Sequence, residues 1–292
     1  MSLATTYCRA QYGMNAPKIS VETHLSNGLP AFNIVGLAQT SVKESKDRVR
    51  SAIINSLFEF PQRRITINLA PAELPKQGGR YDLAIAIGIL AASGQIPKQD
   101  LAAYEFLGEL SLSGELRAIN AALPAALQGK KNNTLLIFAA DNAREISLSR
   151  YDNLYLAKHL LEVSAHLLGA KTLANCTQYT WPRIEYAANF KRVKGQEVAK
   201  RALSIVAAGR HHLLMSGPPG SGKTLLANCL PSILPPMSAQ ESIETASIYS
   251  LDNRPLLSPQ QRSFCAPHHS ASAVALVGGG NPPKPGEISR AH

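Results

Sequence analysis

Over the first two-thirds of the chain, stretches of strand-like alternation and stretches of helix-like periodicity follow one another. Thr5 to Tyr12 and Lys18 to Leu25 alternate and carry β-branched residues, so both are predicted strands, with a short third at Phe32 to Val35. The period then lengthens. Val42, Val49, Ala52, Ile53 and Leu57 form one stripe of a predicted helix from Ser41 to Phe58. Its outer face carries Lys43, Glu44, Lys46, Asp47, Arg48 and Arg50, and Pro61 lies beyond its end. Ile65 to Ala70 returns to the strand period. Asp82 to Ala92 is apolar almost all round, the pattern of a helix buried on every side. Phe106 to Arg117 predicts two strands about a Ser113-Gly114 turn, and Leu135 to Ala139 a buried strand. Ala157 to Gly169 reads as a helix that Gly169 caps.

Periodicity fades from Lys171 to Phe190, where Thr, Asn, Gln, Trp181 and Pro182 collect. The expected organisation is therefore a domain over 1–170, a linker over 171–190 and a second domain over 191–292. The second domain opens with a predicted helix from Gly195 to Ala208, apolar at Val198, Ala202, Ile205 and Val206. Leu213-Leu-Met215 is a short apolar run of the kind buried parallel strands show. A helix is predicted from Lys223 to Cys229 and a more polar one from Ala239 to Tyr249. Gly278-Gly-Gly280 with Asn281-Pro-Pro-Lys-Pro285 reads as a mobile turn. Strands interleaved with helices give an α/β class.

Composition narrows the functional classes. The chain has 292 residues, 45% apolar and 17% charged, which is too apolar for a disordered chain. Spanning a bilayer takes roughly 18 uninterrupted apolar residues, and the longest candidate, Leu83 to Ala92, is too short. The N-terminus has no basic segment before an apolar core, so a cytoplasmic chain with no membrane partner is expected. Net charge is +10, and residues 186–292 hold 11 basic against 5 acidic side chains. That balance is compatible with nucleic acid or nucleotide phosphates. Cys8, Cys176, Cys229 and Cys265 are scattered, with no zinc-ligand spacing, and read as reduced thiols. His268 and His269 are adjacent, which does not suit one tetrahedral metal site. His211 and His212 read as packing or solvent-facing residues.

Residues 217–224, Gly217, Pro218, Pro219, Gly220, Ser221, Gly222, Lys223 and Thr224, match G-x-x-x-x-G-K-[ST] at every fixed position. A triphosphate places several negative charges on closely spaced oxygens. Wrapping it takes inward backbone N–H groups unobstructed by side chains, which Gly220 and Gly222 permit. Pro218 and Pro219 cannot donate and stiffen the loop instead. Lys223 suits the β/γ-phosphates as a compact cation, and the Thr224 hydroxyl suits Mg²⁺. The helix that follows turns its positive dipole end toward the anion. The cofactors expected here are ATP and Mg²⁺.

Five segments occur in one order: Val193-Lys-Gly-Gln-Glu197, the phosphate loop, Ala266-Pro-His-His-Ser270, Leu276-Val-Gly-Gly-Gly280 and Pro283-Lys-Pro-Gly-Glu-Ile288. Together they resemble the magnesium-chelatase-like AAA+ ATPases of the ComM/YifB family. Gly36-Leu-Ala38, Arg48-Val-Arg50, Asn68-Leu-Ala-Pro71, Leu74-Pro-Lys-Gln-Gly-Gly79 and Tyr81-Asp-Leu83 resemble that family's N-terminal domain. The resemblance implies a Lon-protease-like, S5-like α/β domain followed by a P-loop AAA+ domain. It implies an oligomeric, hexameric ATPase that moves on DNA by branch migration during recombination of transforming DNA. By the same resemblance Val193 to Gln196 edges the adenine pocket, and His268 and His269 lie in an insert that faces the ring pore and DNA.

Two departures qualify what is carried over. Lon-type proteases place a nucleophilic serine where Arg80 stands here, after Pro75-Lys-Gln-Gly-Gly79. The stretch expected to hold the partner lysine, Asn120 to Pro124, contains none. A Ser-Lys dyad needs both groups, so the domain reads as a non-proteolytic scaffold. The family's Walker B strand, sensors and arginine finger follow the Pro-Gly-Glu-Ile segment, whereas this chain stops at His292. The expectation is a truncated AAA+ domain that binds ATP and hydrolyses it poorly. Two alternatives stay open. One is a magnesium chelatase motor subunit, against which the long N-terminal domain argues, since such subunits begin almost directly with the AAA+ module. The other is a non-enzymatic ATP-binding interaction fragment.

Overall fold

The computed structural model describes residues 2–36, 39, 42, 44–182, 186, 188–252, 258–280 and 283–291. Leu37 and Ala38 of the first N-terminal motif, Ser41 and Lys43 of the first predicted helix, residues 183–185 and 187 of the predicted linker, and Asn281 and Pro282 lie outside them. The chain forms two compact units, the first built mainly from residues 1–179 and the second from residues 180–249, 255–280 and 284–292.

In the first unit, β1 (Ser2–Arg9) and β2 (Lys18–Ser26) form an antiparallel pair, with Arg9 opposite Lys18 and Ser2 opposite Leu25. β2 pairs antiparallel with β4 (Arg64–Ala70), and β3 (Ala31–Val35) runs parallel on the far side of β4. Alternate residues Ile19, Val21 and Leu25 on β2 and Ile65, Ile67 and Leu69 on β4 are buried, so the period-two pattern decides which face meets the core. Helix α1 (Ser45–Asn55) buries Val49, Ala52 and Ile53. Every residue of α2 (Asp82–Ala92) is buried, as its all-round apolar pattern predicts. It packs on β1 and β2 and also on β5 (Tyr104–Leu107).

A second sheet has the order β10-β9-β8-β5. Its core strands β5, β8 (Leu135–Ala139) and β9 (Leu154–Ala157) are parallel, and the short β10 (Ala174–Asn175) closes the edge antiparallel. β6 (Glu109–Leu110) and β7 (Leu116–Arg117) make the expected hairpin around Gly114. Helix α3 (Ala122–Asn132) precedes β8, α4 (Ala143–Ile146) follows it, and α5 (Leu160–Leu167) follows β9.

Several readings need correction. β1 ends at Arg9, short of Tyr12, which instead bridges Asn15 in a tight reversal. The first helix stops at Asn55. Leu57 has φ +62° and is 92% exposed, so it leaves the apolar stripe at the turn that ends the helix. Ala157 closes strand β9 instead of opening a helix, and the helix begins at Leu160 behind His159, whose Nδ1 accepts from the Leu161 N–H at 3.2 Å.

The second unit is helical with little sheet. It contains α6 (Glu197–Gly209), α7 (Lys223–Cys229), α8 (Ala239–Leu251), α9 (Ala273–Val277) and α10 (Glu287–Arg290). A small core of Val193, Leu203, Leu226 and Cys229, with Phe190, Ala199 and Met215 against it, joins α6 to α7. The buried face of α6 is Leu203 and Ala207; Val198 and Ile205, two of the predicted stripe positions, are exposed. The Leu213-Leu-Met215 run joins no sheet among the described residues, and Leu214 is exposed. A strand needs a neighbour to take up its N–H and C=O groups, and no described segment supplies one. Gly278–Gly279 and Lys284–Pro285 pair as the small antiparallel sheet β11–β12, where a mobile turn is expected from composition. No helix among the described residues is long and apolar enough to cross a membrane. All four cysteines are free thiols, with Cys8 and Cys229 buried.

Candidate functional site

Residues 217–222 form a loop, exposed at 217–220 and half-buried at Ser221 and Gly222, that leads directly into α7, whose first residues are Lys223 and Thr224. Gly220 has φ +78° and Gly222 φ +86°, left-handed backbone that L residues avoid. A Cβ at either position would meet no atom within 4 Å, so the requirement for glycine is conformational and not one of crowding. Lys223 Nζ folds back across the loop. It donates to the Gly217 and Pro218 carbonyls, both at 2.8 Å, and stands 3.2 Å from Ser221 Oγ. Ser221 N–H donates to the Pro218 carbonyl at 3.4 Å, closing the turn. Thr224 lies exposed in the first turn of α7.

A second predicted motif reaches this loop. Gln196, at φ +59° immediately before α6, donates from its side-chain amide to the Ser221 carbonyl at 3.4 Å. The segment Val193 to Gln196 and the Gly-rich loop therefore meet, held by the small core that Leu203 and Leu226 share. His268 does not join them. Its Nδ1 lies 2.7 Å from Ser270 Oγ, and its ring centroid is 4.1 Å from that of His269.

The acidic residues nearby in sequence are occupied elsewhere. Ser238 and Glu241 form a reciprocal cap at the start of α8: Glu241 N–H donates to Ser238 Oγ at 3.2 Å, and Ser238 N–H to Glu241 Oε2 at 2.8 Å. Arg210 and Arg262 flank the same carboxylate at 3.2 and 3.5 Å. The Ser238 N–H bond, with the arginines, lowers the Glu241 pKa. Glu287 starts helix α10 and pairs with Arg290 at 2.7 Å, where the sequence suggests a Pro/Gly turn.

In the first unit, the two stretches that a Ser-Lys dyad would occupy do meet. Arg80 Nη2 donates to the Asn120 carbonyl, and Arg80 Nη1 to the Arg9 carbonyl at 3.4 Å. Lys76 is buried, with Nζ donating to the Pro71 carbonyl, and burial lowers its pKa. The sequence gives Gln11 and Glu109 no role, yet they line a cavity with Gln77 and Arg80. These two come from separate segments, and no local pattern links them to Arg80.

Two family models match in turn: subunit ChlI of Mg-chelatase over residues 21–142, and magnesium chelatase, subunit ChlI, over residues 189–292. The YifB protein of Salmonella typhimurium and the competence protein ComM of Haemophilus influenzae are each 51% identical to it across 100% of this chain. Escherichia coli YifB is 49% identical over the same extent. The chain spans 58% of the length of these relatives. With both ChlI segments in order and about half of all positions shared, the chain belongs to the magnesium-chelatase-like ComM/YifB family.

Proposed function

We propose that residues 217–224 bind ATP with Mg²⁺, and that the chain supplies the nucleotide-binding part of a ComM-type AAA+ motor acting on DNA in recombination. The observation that carries this is the Lys223 ammonium clasped by two loop carbonyls beside two left-handed glycines. A cation already seated over an exposed loop of N–H donors fits a polyphosphate. Lys223 would face the β/γ-phosphates, Thr224 would offer its hydroxyl to Mg²⁺, and Gln196 would stiffen the loop from the adenine side. Bound ATP with its metal supplies the energy of phosphoryl transfer; this chain's residues bind and orient it.

The boundaries 1–170, 171–190 and 191–292 belong to the same reading, with the first domain a Lon-like scaffold that cleaves nothing. Arg80 on the Asn120 carbonyl supports this, because a guanidinium occupies the space where the dyad would work. DNA contact and assembly into a hexameric ring come from the resemblance; the Haemophilus influenzae relative is named a competence protein. The net charge of +10 is compatible with both.

The test is ATP titration by calorimetry with and without Mg²⁺. Lys223→Ala removes a charge-assisted contact worth about 1.5–3 kcal/mol, roughly ten- to a hundredfold in affinity. Thr224→Ala is expected to weaken binding only when Mg²⁺ is present. Equal affinity for the wild type and Lys223→Ala overturns the assignment.

A further inference from the structure

Residues 171–176 close the edge of the second sheet, and little holds them there. β10 is two residues long, and both of its side chains, Ala174 and Asn175, are exposed. Their backbone pairs with Leu156 and Tyr155 of β9, and the Cys176 N–H donates to the Leu154 carbonyl at 2.7 Å. Leu173 is the one fully buried side chain of the segment. Its backbone N–H donates to a side chain, Nδ1 of His166 on α5, at 3.3 Å.

That bond fixes the state of the ring. An imidazole nitrogen that accepts carries no proton, so the neutral ring keeps its proton on Nε2 and donates it to Tyr104 Oη at 3.2 Å. The ring lies against two aromatic side chains, Tyr104 of β5 edge-on with centroids 5.7 Å apart and Tyr155 of β9 at 5.4 Å. No carboxylate pairs with it among the described residues. Glu162, one turn earlier on α5, accepts from the Lys158 N–H at 2.7 Å. Asp100 acts on the Tyr104 phenol, and Lys171 is exposed. Burial alone moves the His166 pKa, downward from 6.5.

A second proton has only Nδ1 to go to, the atom that holds Leu173. Donor would then face donor at 3.3 Å, so the charged ring and the Leu173 bond exclude each other. A buried N–H left without an acceptor is costly, and the segment has few other bonds to keep it in place. We propose that His166 is a proton-operated latch: a second ring proton breaks the Leu173 bond and frees residues 171–176 from the edge of the second sheet. The charged ring keeps its Nε2–H bond to Tyr104, and the opened edge lets water reach Nδ1. The closed form holds the proton less tightly than the open one, so closure is fully favoured above pH 6.5 and is lost progressively as pH falls below it. Release uncovers the backbone of Leu154 to Leu156. The latch does not depend on the proposed ATP loop.

The experiment is hydrogen exchange of the full chain, read by NMR from about pH 5 to 7.5 and corrected for the intrinsic pH dependence of exchange. Opening that takes up one proton predicts that protection of the Leu173 and Cys176 amides falls by up to about tenfold per pH unit below 6.5. The His166 ring resonances are expected to titrate below 6.5 in the same samples. His166→Asn sets an amide oxygen near the Nδ1 position, which accepts but cannot titrate, and is expected to make that protection independent of pH. The amides of α2 are expected to lose no protection as pH falls across the range. The proposal is overturned if Leu173 protection in the wild type does not change with pH, if the ring gains its second proton while the Leu173 amide stays protected, or if His166→Asn keeps the wild-type dependence. Loss of α2 protection in step with Leu173 also overturns it, because the opening would then be that of the whole unit.

Discussion

Replacing Asp82 by asparagine is expected to remove a pH dependence that burial builds into the first unit. Asp82 starts α2, and its side chain is fully buried. Loss of solvation outweighs the hydrogen bonds from Arg48 and Ser45 and the N–H of Leu110, and pushes its pKa from 3.8 up to about 6. A shift of that size corresponds to about 3 kcal/mol between the two protonation states. The folded state holds the proton more tightly than the unfolded chain, so the neutral acid favours folding. That contribution is complete below the unfolded pKa, fades as pH rises from 3.8, and is gone above about 6. Asp82→Asn keeps the shape and most hydrogen-bonding capacity but cannot titrate. Arg48, whose side chain is 22% exposed, can turn to water for its lost partner. Urea unfolding followed by circular dichroism at several pH values between about 4 and 7 gives the two profiles. The wild type should lose up to about 3 kcal/mol relative to Asp82→Asn across that window. Parallel profiles would refute the reasoning and show Asp82 to be ionised throughout, its charge fully offset by Arg48.

Three further outcomes are expected. Gly222→Ala forces a Cβ onto φ +86° with no crowding; the strain of about 1–2 kcal/mol should appear as weaker ATP binding in calorimetry, with the unfolding of the first unit unchanged. Steady-state phosphate release by residues 1–292 is expected to stay at the level of Lys223→Ala, because Glu241 is committed to its helix cap and two arginines and Glu287 to Arg290; release that vanishes in the mutant would show that an acid of this chain completes the site. Residues 1 to about 170 are expected to cleave no unfolded casein, and activity lost on Ser113→Ala would place the nucleophile elsewhere.

Much of the architecture was legible because its signals are local. Asp82–Ala92 and Leu135–Ala139 have the bounds their apolar patterns predict, since a segment buried on all sides needs no partner to be recognised. Lys223–Cys229 follows from the loop that precedes it. The errors fall where a boundary depends on one residue's backbone: Leu57 leaves its helix through a positive φ that its side chain gives no sign of. Helix α3 went unread, its alanines and Pro124 offering no periodic contrast. Strand β9 was hidden because Tyr155 and Leu156 are both half-buried, which blurs alternation. At the candidate site, the loop declared itself by spacing. The approach of Gln196 to Ser221, and of Arg80 to Asn120, is tertiary information that only packing supplies.

The burial of α2 on every side has a consequence for how the first unit opens. A helix with one wet face can peel away and return while the rest of a domain stays folded. α2 has no wet face, and it touches both β1–β2 of one sheet and β5 of the other. Its amide hydrogens cannot meet solvent until both sheets have parted from it. Their exchange with deuterium should therefore be the slowest in the chain and should track the global unfolding free energy of the unit, while α5 and β10 exchange through smaller local openings. The two sheets share no backbone ladder, and this helix, together with the Arg9–Glu105 pair between β1 and β5, makes them a single cooperative body.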